Sequence, residues 1–282
     1  MRVLIVGGTG LTGRAMARVL ARDGHDVTCL ARGTTTTDLD AARVIHADRH
    51  DPAALARTFD AARPDAVVDQ IAFTADDVDA IASLRPARHL VCSSAAVLGS
   101  GLDLDEDAPP ALPTTGYLAG KLAVEARARA HGAIVLRPAY LYGPGHAPMT
   151  VRGRDALLLA RLHAETPLEL PDDDTLPLQP TFAGDHAAAV AALLAMPAPP
   201  PIVHVGGPPT TWRGWLAALA DAAGTRLRTR AVALDELSAH SAWFRDYLRH
   251  PLTIRSRHLA LALTPLAEGA RALVDWLAAQ RR

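Results

Sequence analysis

"RVLIVGGTGLTG" (residues 2–13) decides how the rest of the chain is read. Its first half, "RVLIVG" (2–7), is an apolar run of strand length, and "GGTGLTG" (7–13) follows with no spacer. A helical pattern, "RAMARVLARDG" (14–24), comes next, with Gly24 as its stop. A buried strand, a glycine loop and a helix together open a βαβ unit. Glycines there permit a tight turn and close backbone approach, and the free N–H groups of a helix N-terminus can cradle a pyrophosphate. The spacing is Gly7-x-x-Gly10-x-x-Gly13, one residue wider at the start than G-x-G-x-x-G. Gly7, Thr9, Gly10, Leu11, Thr12 and Gly13 are the residues expected to hold a dinucleotide.

Outward from this loop the alternation continues. "HDVTCLA" (25–31), "ARVIHA" (42–47), "AVVDQIA" (66–72), "RHLVCSS" (88–94) and "AIVLRPA" (133–139) read as strands. Helical patterns at 51–65, 74–84 and 114–131 lie between them, the first with Asp51 at the N-cap and Pro52 at the first helical position. Strands spaced by such helices predict an α/β, Rossmann-type doubly wound parallel sheet. After "YGPGHAP" (142–148) the character changes to proline-rich loops and shorter elements, with helical patterns at 154–164, 184–196, 212–223 and 265–280. The expected organisation is a dinucleotide-binding domain at 1–148, rejoined by about 179–207, where "PIVHVGG" (201–207) is strand-like. A smaller, mainly C-terminal substrate lobe takes 149–178 and 208–282. Trp212 and Trp215, three apart, read as a helix packing face, and Asp172–Asp174 as a solvated turn. Trp243, Phe244 and Tyr247 fit either core or a cleft lid.

Composition narrows the class. The chain has 282 residues, 49% hydrophobic, with a formal net charge of −1 and no run of five like charges. It carries no electrostatic footprint for nucleic acid or anionic lipid. No apolar run reaches the roughly 18 residues of a membrane span, and the N-terminus lacks a signal-peptide pattern. Cys29 and Cys92 lie in apolar strands without ligand spacing, which reads as buried thiols in a reducing compartment and no metal site. A soluble, cytoplasmic protein is expected.

About 20 residues beyond the glycine loop, an NAD site carries Asp or Glu at the end of the second strand, where it accepts from the ribose 2′-OH. Here the strand ends "CLARG", with Arg32 in place of an acid; the nearest acids, Asp38 and Asp40, fall in the loop beyond. An arginine there can pair with a 2′-phosphate, and Thr34–Thr37 add hydroxyls. NADP(H) is therefore favoured, with NAD(H) admitted, since Arg32 could instead stack on the adenine face that both cofactors share.

Lys121 is the only lysine among 29 basic residues, the other 28 being arginine, and it follows Tyr117 by four in "YLAGK" (117–121). Residues i and i+4 share a helix face. An ammonium near a phenol favours the phenolate, so the tyrosine can exchange protons with a substrate oxygen. A compact charge that also reaches ribose hydroxyls explains why arginine does not stand here.

With these motifs in view, "GGTGLTG", "SSAAVLG" (93–99), "YLAGK" and "LRPAYLYGPG" (136–145) resemble the extended or atypical branch of the short-chain dehydrogenase/reductases, the NAD-dependent epimerase/dehydratase family. "QPTFAGDHAAAV" (179–190), "VHVGG" (203–207) and "LTPLAEGARALVDWL" (263–277) extend the resemblance along the whole chain. It implies Tyr117 as catalytic acid/base, Lys121 as its pKa-lowering and ribose-binding partner, and Ser94 as the hydroxyl that bonds the reacting oxygen. It also implies Asp48 at the adenine amino group (a helix cap being the other reading), Ala72 where the backbone passes the cofactor, and Pro138 beside the nicotinamide. Ser93 should point away from Ser94 by strand alternation.

Three features depart from the family pattern. Leu98 stands where a tyrosine is common, no Asp-Glu pair follows Ser94, and 282 residues is short for the branch. Dehydration is therefore not expected, and a trimmed substrate lobe is. Thr74, His146, Arg152, Arg154 and Gln179 are the substrate candidates by position near cleft loops, with Arg152 or Arg154 either holding a phosphate or carboxylate or standing as solvated helix-start charges. The expected chemistry is hydride transfer at a carbinol or carbonyl carbon, leaning to NADPH-linked reduction. The alternatives are an NAD-dependent nucleotide-sugar epimerase and a non-catalytic dinucleotide-binding regulator. The expected partners are a small-molecule hydroxyl or carbonyl compound, or a nucleotide sugar, with a homodimer admitted.

Overall fold

A computed structural model describes residues 1–33, 39, 42–113, 115–238 and 251–280. Strand β1 (Arg2–Val6) is buried on both faces, with Val3, Leu4, Ile5 and Val6 all at or below 1% exposure. It therefore needs a helix layer on each side. Helix α1 (Leu11–Arg22) lies on one face, where Met16, Ala17 and Leu20 meet Val3 and Ile5. On the other face Leu4 and Val6 pack with Leu55 of α2 (Pro52–Ala62) and Ile81 of α3 (Ala75–Ala82). Burial of each such aliphatic side chain stabilises the fold by roughly 1.5–3 kcal/mol.

Strands β2 (Asp26–Ala31), β3 (Arg43–His46), β4 (Ala66–Asp69), β5 (Arg88–Cys92) and β7 (Ile134–Pro138) join it in one parallel sheet, β2 and β4 as its direct neighbours. The strand Ile202–Val205 adds a parallel edge beside β7. From that edge the order is Ile202–Val205, β7, β5, β4, β1, β2, β3. The chain moves outward from β1 to β3 and then crosses back to β4. The crevice beyond the carboxyl ends of β1 and β4 is therefore the topological switch point, where open α/β sheets bind ligands. Helix α4 (Gly116–Ala130) packs its Val124 and Ala128 over β5 and β7, and α6 (Ala183–Ala195) lies beside α1 through Ala187, Val190 and Leu193. Strand β6 (Gly101–Leu104) pairs with Leu252–Ile254 near the end of the chain, and β8 (Tyr140–Tyr142) with Pro180–Phe182.

Helix α5 (Leu158–His163), α7 (Trp212–Ala222) and the helix Leu266–Ala279 share a second core. Trp212 and Trp215 are 1% and 0% exposed within it, and Trp215 Nε1 donates to Met149 O at 2.9 Å. They form a packing face. Asp173 closes a turn by accepting from Thr175 N and Oγ1, as expected of a solvated acidic run.

Two element ends differ from the sequence reading. α1 begins at Leu11, three residues before the periodic pattern, because Gly13 weakens the helical signal while the loop packing demands it. The helix expected at 154–164 begins only at Leu158, since Gly153–Arg154 folds back on Met149–Thr150 and Asp155 Oδ1 accepts from Leu157 N. Thr34–Thr37, Asp38, Asp40, Trp243, Phe244 and Tyr247 lie outside the described residues.

Candidate active site

The glycine loop is pressed against β2. Gly7 N and Gly8 N both donate to Leu30 O, and Gly7 takes a φ of 85° that favours glycine. A Cβ on Gly13 would lie 2.5 Å from Gly7 O, so only glycine lets α1 start this close to the strand. Gly10 caps α1 without any side-chain bond. The first-turn N–H groups of Leu11, Thr12 and Gly13 have no acceptor within the helix. Thr9 O accepts from Arg14 Nε at 2.9 Å, which ties the loop to the helix it opens. An uncapped helix start behind a glycine cradle fits a pyrophosphate.

Arg32 is exposed just past the end of β2, and Asp48 is exposed just past β3. Asp48 accepts from His50 N, and this bond first and the Arg32 charge later hold its carboxyl below the ordinary value. The cap of α2 is Asp51, which accepts from Ala53 N and Ala54 N, so Asp48 is not the helix cap.

Ser94, Tyr117 and Lys121 converge at the carboxyl end of β5. Ser94 follows the strand, its Oγ accepting from Ala96 N at 3.2 Å, and it stands beside the Tyr117 phenol at the cavity. Ser93 turns the other way, donating to Glu125 Oε1 at 2.6 Å. Thr115 caps α4 by accepting from Leu118 N, which sets the helix start one residue before Tyr117. Lys121 is 3% exposed; its Nζ donates to Ala72 O at 2.8 Å and Cys92 O at 2.9 Å. That ammonium also lies 4.7 Å from the Phe73 ring centroid and 6.0 Å from that of Tyr117. Burial lowers the Lys121 pKa against the raising fields of Asp69, Asp77 and Glu125.

The Tyr117 phenol does not follow the expected direction. Burial raises it above the ordinary tyrosine value, and the Ser94 hydroxyl beside it opposes this only in part. The lysine is turned to two carbonyls and does not offset the desolvation.

A cavity of about 460 Å³ opens beside Ser94, Tyr117 and Pro138. Its far wall comes from Met149, Leu178 and Trp212 of the second core, with Arg154 beside them. Among the substrate candidates, Arg154 lines it, while Thr74, His146, Arg152 and Gln179 are not among the lining residues. Thr74 caps α3 in a reciprocal box with Asp77. Arg152 pairs with Glu169 and Glu236. Gln179 is 2% exposed, its amide donating to Gly207 O and Ile254 O and accepting from Ile254 N. His146 is exposed, with partial burial first and the Arg154 charge second lowering its pKa.

Two buried charge clusters escape sequence reasoning. Arg49 bonds Asp69 at 2.7 Å and the Asp77 carbonyl at 2.8 Å, while Asp77 Oδ2 accepts from Phe73 N and Thr74 N. Together they fix the loop that carries Ala72. Arg137 meets Glu125 through two bonds of 2.9 and 2.7 Å, and Ser93 shares that carboxylate. The acids and arginines are visible in the sequence, but no local period signals pairing across 12 to 28 positions.

A doubly wound sheet with an uncapped glycine loop at its switch point and a serine–tyrosine–lysine group at the next strand end defines a dinucleotide-binding protein of the short-chain dehydrogenase/reductase type. The sequence profile of the NAD dependent epimerase/dehydratase family matches residues 3–83 and 71–206, and the chain belongs to that family. It is 32% identical over 207 residues to 2'-dehydrokanamycin reductase of Streptomyces kanamyceticus, an alignment covering 69% of this chain and 58% of that protein. The fold is similar to the Bordetella bronchiseptica enzyme WbmH in complex with NAD+, with a TM-score of 0.74, 18% identity and 98% and 97% of the two chains covered. It is also similar to UDP-glucuronic acid 4-epimerase from Bacillus cereus in complex with NAD, with a TM-score of 0.75, 17% identity and 100% of both chains covered. Among the described residues no helix is long and apolar enough to cross a membrane, and no group of three or more metal-ligating side chains occurs.

Proposed function

We propose that this chain is an NAD(P)-dependent oxidoreductase that reduces a carbonyl group, with NADPH as cosubstrate. Ser94 and Tyr117 side by side at the cavity, with Lys121 buried beneath them, carry the reading. When bound, the nicotinamide dinucleotide supplies the hydride. Gly7, Thr9, Gly10, Leu11, Thr12 and Gly13 would hold its pyrophosphate, Asp48 its adenine and Lys121 its ribose, with Ala72 and Pro138 flanking the nicotinamide end.

The side chains do the rest. The Ser94 hydroxyl donates a hydrogen bond to the substrate oxygen and orients it. Tyr117 gives that oxygen its proton. A phenol raised by burial is fully protonated at neutral pH, the form a reduction needs. The Lys121 ammonium, held by Ala72 O and Cys92 O, keeps its remaining donor for the ribose beside the phenol. Resemblance to a protein named as a reductase supports this direction over epimerisation.

The exposed Arg32, which makes no hydrogen bond or ion pair among the described residues, supports a 2′-phosphate and hence NADPH. Arg32→Asp should reverse the NADPH-over-NADH preference in equilibrium binding, and unchanged selectivity would remove this part of the reading.

The nucleotide-sugar epimerase alternative is separated by denaturing the purified protein and identifying any released dinucleotide. Release of stoichiometric NAD would favour epimerisation. A protein that yields none and takes up NADPH favours reduction with a dissociating cosubstrate. Tyr117→Phe separates the regulator, which would keep its function, from the enzyme, which would not.

A further inference from the structure

The lining of the cavity is selective in what it lacks. Among the described residues it includes no Asp, Glu, Asn, Gln or His. Leu112, Leu118, Leu141, Met149, Leu178 and Leu252 are its large aliphatic lining. A sugar ring presents several hydroxyls, each needing partners of both senses, and burying them against leucine and methionine leaves them unsatisfied. Hydrocarbon loses nothing there and gains by leaving water. Of the six hydroxyls in the lining, Ser93 is given to Glu125, Thr115 to Leu118 N and Tyr140 to Met149 N. Ser94 and Tyr117 are engaged with the reacting oxygen in the reading above, which leaves Ser100 alone to serve a sugar ring.

One charge interrupts the apolar wall. Among the described residues, Arg154 is the only charged one lining the cavity. Its Nη1 donates to Ala147 O at 2.9 Å, and its guanidinium lies 5.8 Å from the Tyr140 ring centroid, which braces it. Most of the other described arginines of the same lobe meet a carboxylate, Arg226 and Arg271 being exceptions away from the cavity lining. Arg152 and Arg230 meet Glu169, Arg161 meets Asp155, Arg213 meets Asp174 and Arg228 meets Glu165. Arg154 has no carboxylate partner among the described residues. A guanidinium braced by a carbonyl and a ring keeps donors free in a planar fork that matches an oxyanion.

We infer that the substrate is a largely hydrocarbon carbonyl compound bearing an anionic oxygen group, a carboxylate or its equivalent, which Arg154 holds at the second-lobe wall while the carbonyl faces Ser94 and Tyr117. This rests on the reductase reading for the carbonyl, but the apolar body and the anion stand on the lining alone. It places the substrate apart from nucleotide sugars.

The test is calorimetric titration of the full chain with 4-phenylbutanoate, 4-phenylbutanamide and UDP-glucose, repeated on Arg154→Gln and Arg154→Lys. The acid should bind about 10- to 100-fold tighter than the amide, the range of a charged hydrogen bond. Arg154→Gln should bring acid and amide level, Arg154→Lys should keep part of the difference, and UDP-glucose should bind more weakly than the acid. Equal binding of acid and amide to the unmodified chain, a preference unchanged in Arg154→Gln, or tighter binding of UDP-glucose would overturn the inference. These ligands carry no reacting ketone, so the result stands apart from turnover. Failure to oxidise NADPH with 4-oxo-4-phenylbutanoate, beside acid-selective binding, would count against the reductase reading alone.

Discussion

Tyr117 and Lys121 are one helical turn apart on α4, yet they do different work because their surroundings differ. Tyr117 stands at the cavity, 40% exposed, and Lys121 is buried against Ala72 O and Cys92 O. Tyr117→Phe removes the proposed proton donor and leaves the ring, so turnover should fall about 10²- to 10⁴-fold while NADPH affinity stays within a few-fold; steady-state kinetics beside equilibrium binding check this. Lys121→Arg should also lose turnover, because a planar fork cannot repeat two bonds of 2.8 and 2.9 Å converging on one nitrogen. The pair was legible from its i, i+4 spacing in a chain with one lysine. Ser94 was legible as a hydroxyl at a strand end. The choice between Arg152 and Arg154 was not, since it depends on which arginine finds Glu169 across a tertiary contact.

At the scale of elements, what matters is the register of α4 over the sheet. Glu125 lies four residues beyond Lys121 on the same helix, and its ion pair with Arg137 is buried, at 5% and 2% side-chain exposure. The pair and Ser93 pin α4 to β5 and β7. Glu125→Gln would leave the Arg137 charge unpaired in the interior, so stability should fall by about 3–5 kcal/mol, measured as a lower midpoint in denaturant. Gly13→Ala tests the other end of the site. A methyl group 2.5 Å from Gly7 O must push α1 off β1, so dinucleotide affinity should fall together with the melting temperature. The βαβ alternation was readable because periods of 2 and 3.6 are local. The delayed start of α5 was not, because a hairpin at 149–154 competes with a good helical pattern there.

The whole molecule also carries a pH signature. His89 and His186 are 8% and 0% exposed, and burial pushes each down to about 4. In the unfolded chain both would titrate near 6.5. Between about 6.5 and 4 the unfolded state therefore binds protons that the folded state refuses, so stability is present above this window and is lost as pH falls through it. Each histidine contributes up to about 3 kcal/mol of that loss by pH 4. Melting temperatures taken across the window should fall steeply, and His186→Asn should flatten the slope.

The architecture follows from the same global logic. A parallel sheet buried on both faces puts the glycine loop, Ser94 and the Tyr117 helix at one crevice, and the second lobe closes that crevice with Arg154. The most direct test of the whole account is transfer of deuterium from C4-labelled NADPH to 4-oxo-4-phenylbutanoate in a single turnover. Label should appear on the carbinol carbon of the product with the intact chain and be lost with Tyr117→Phe. No label on the carbinol carbon with the intact chain, or undiminished transfer by Tyr117→Phe, would contradict it.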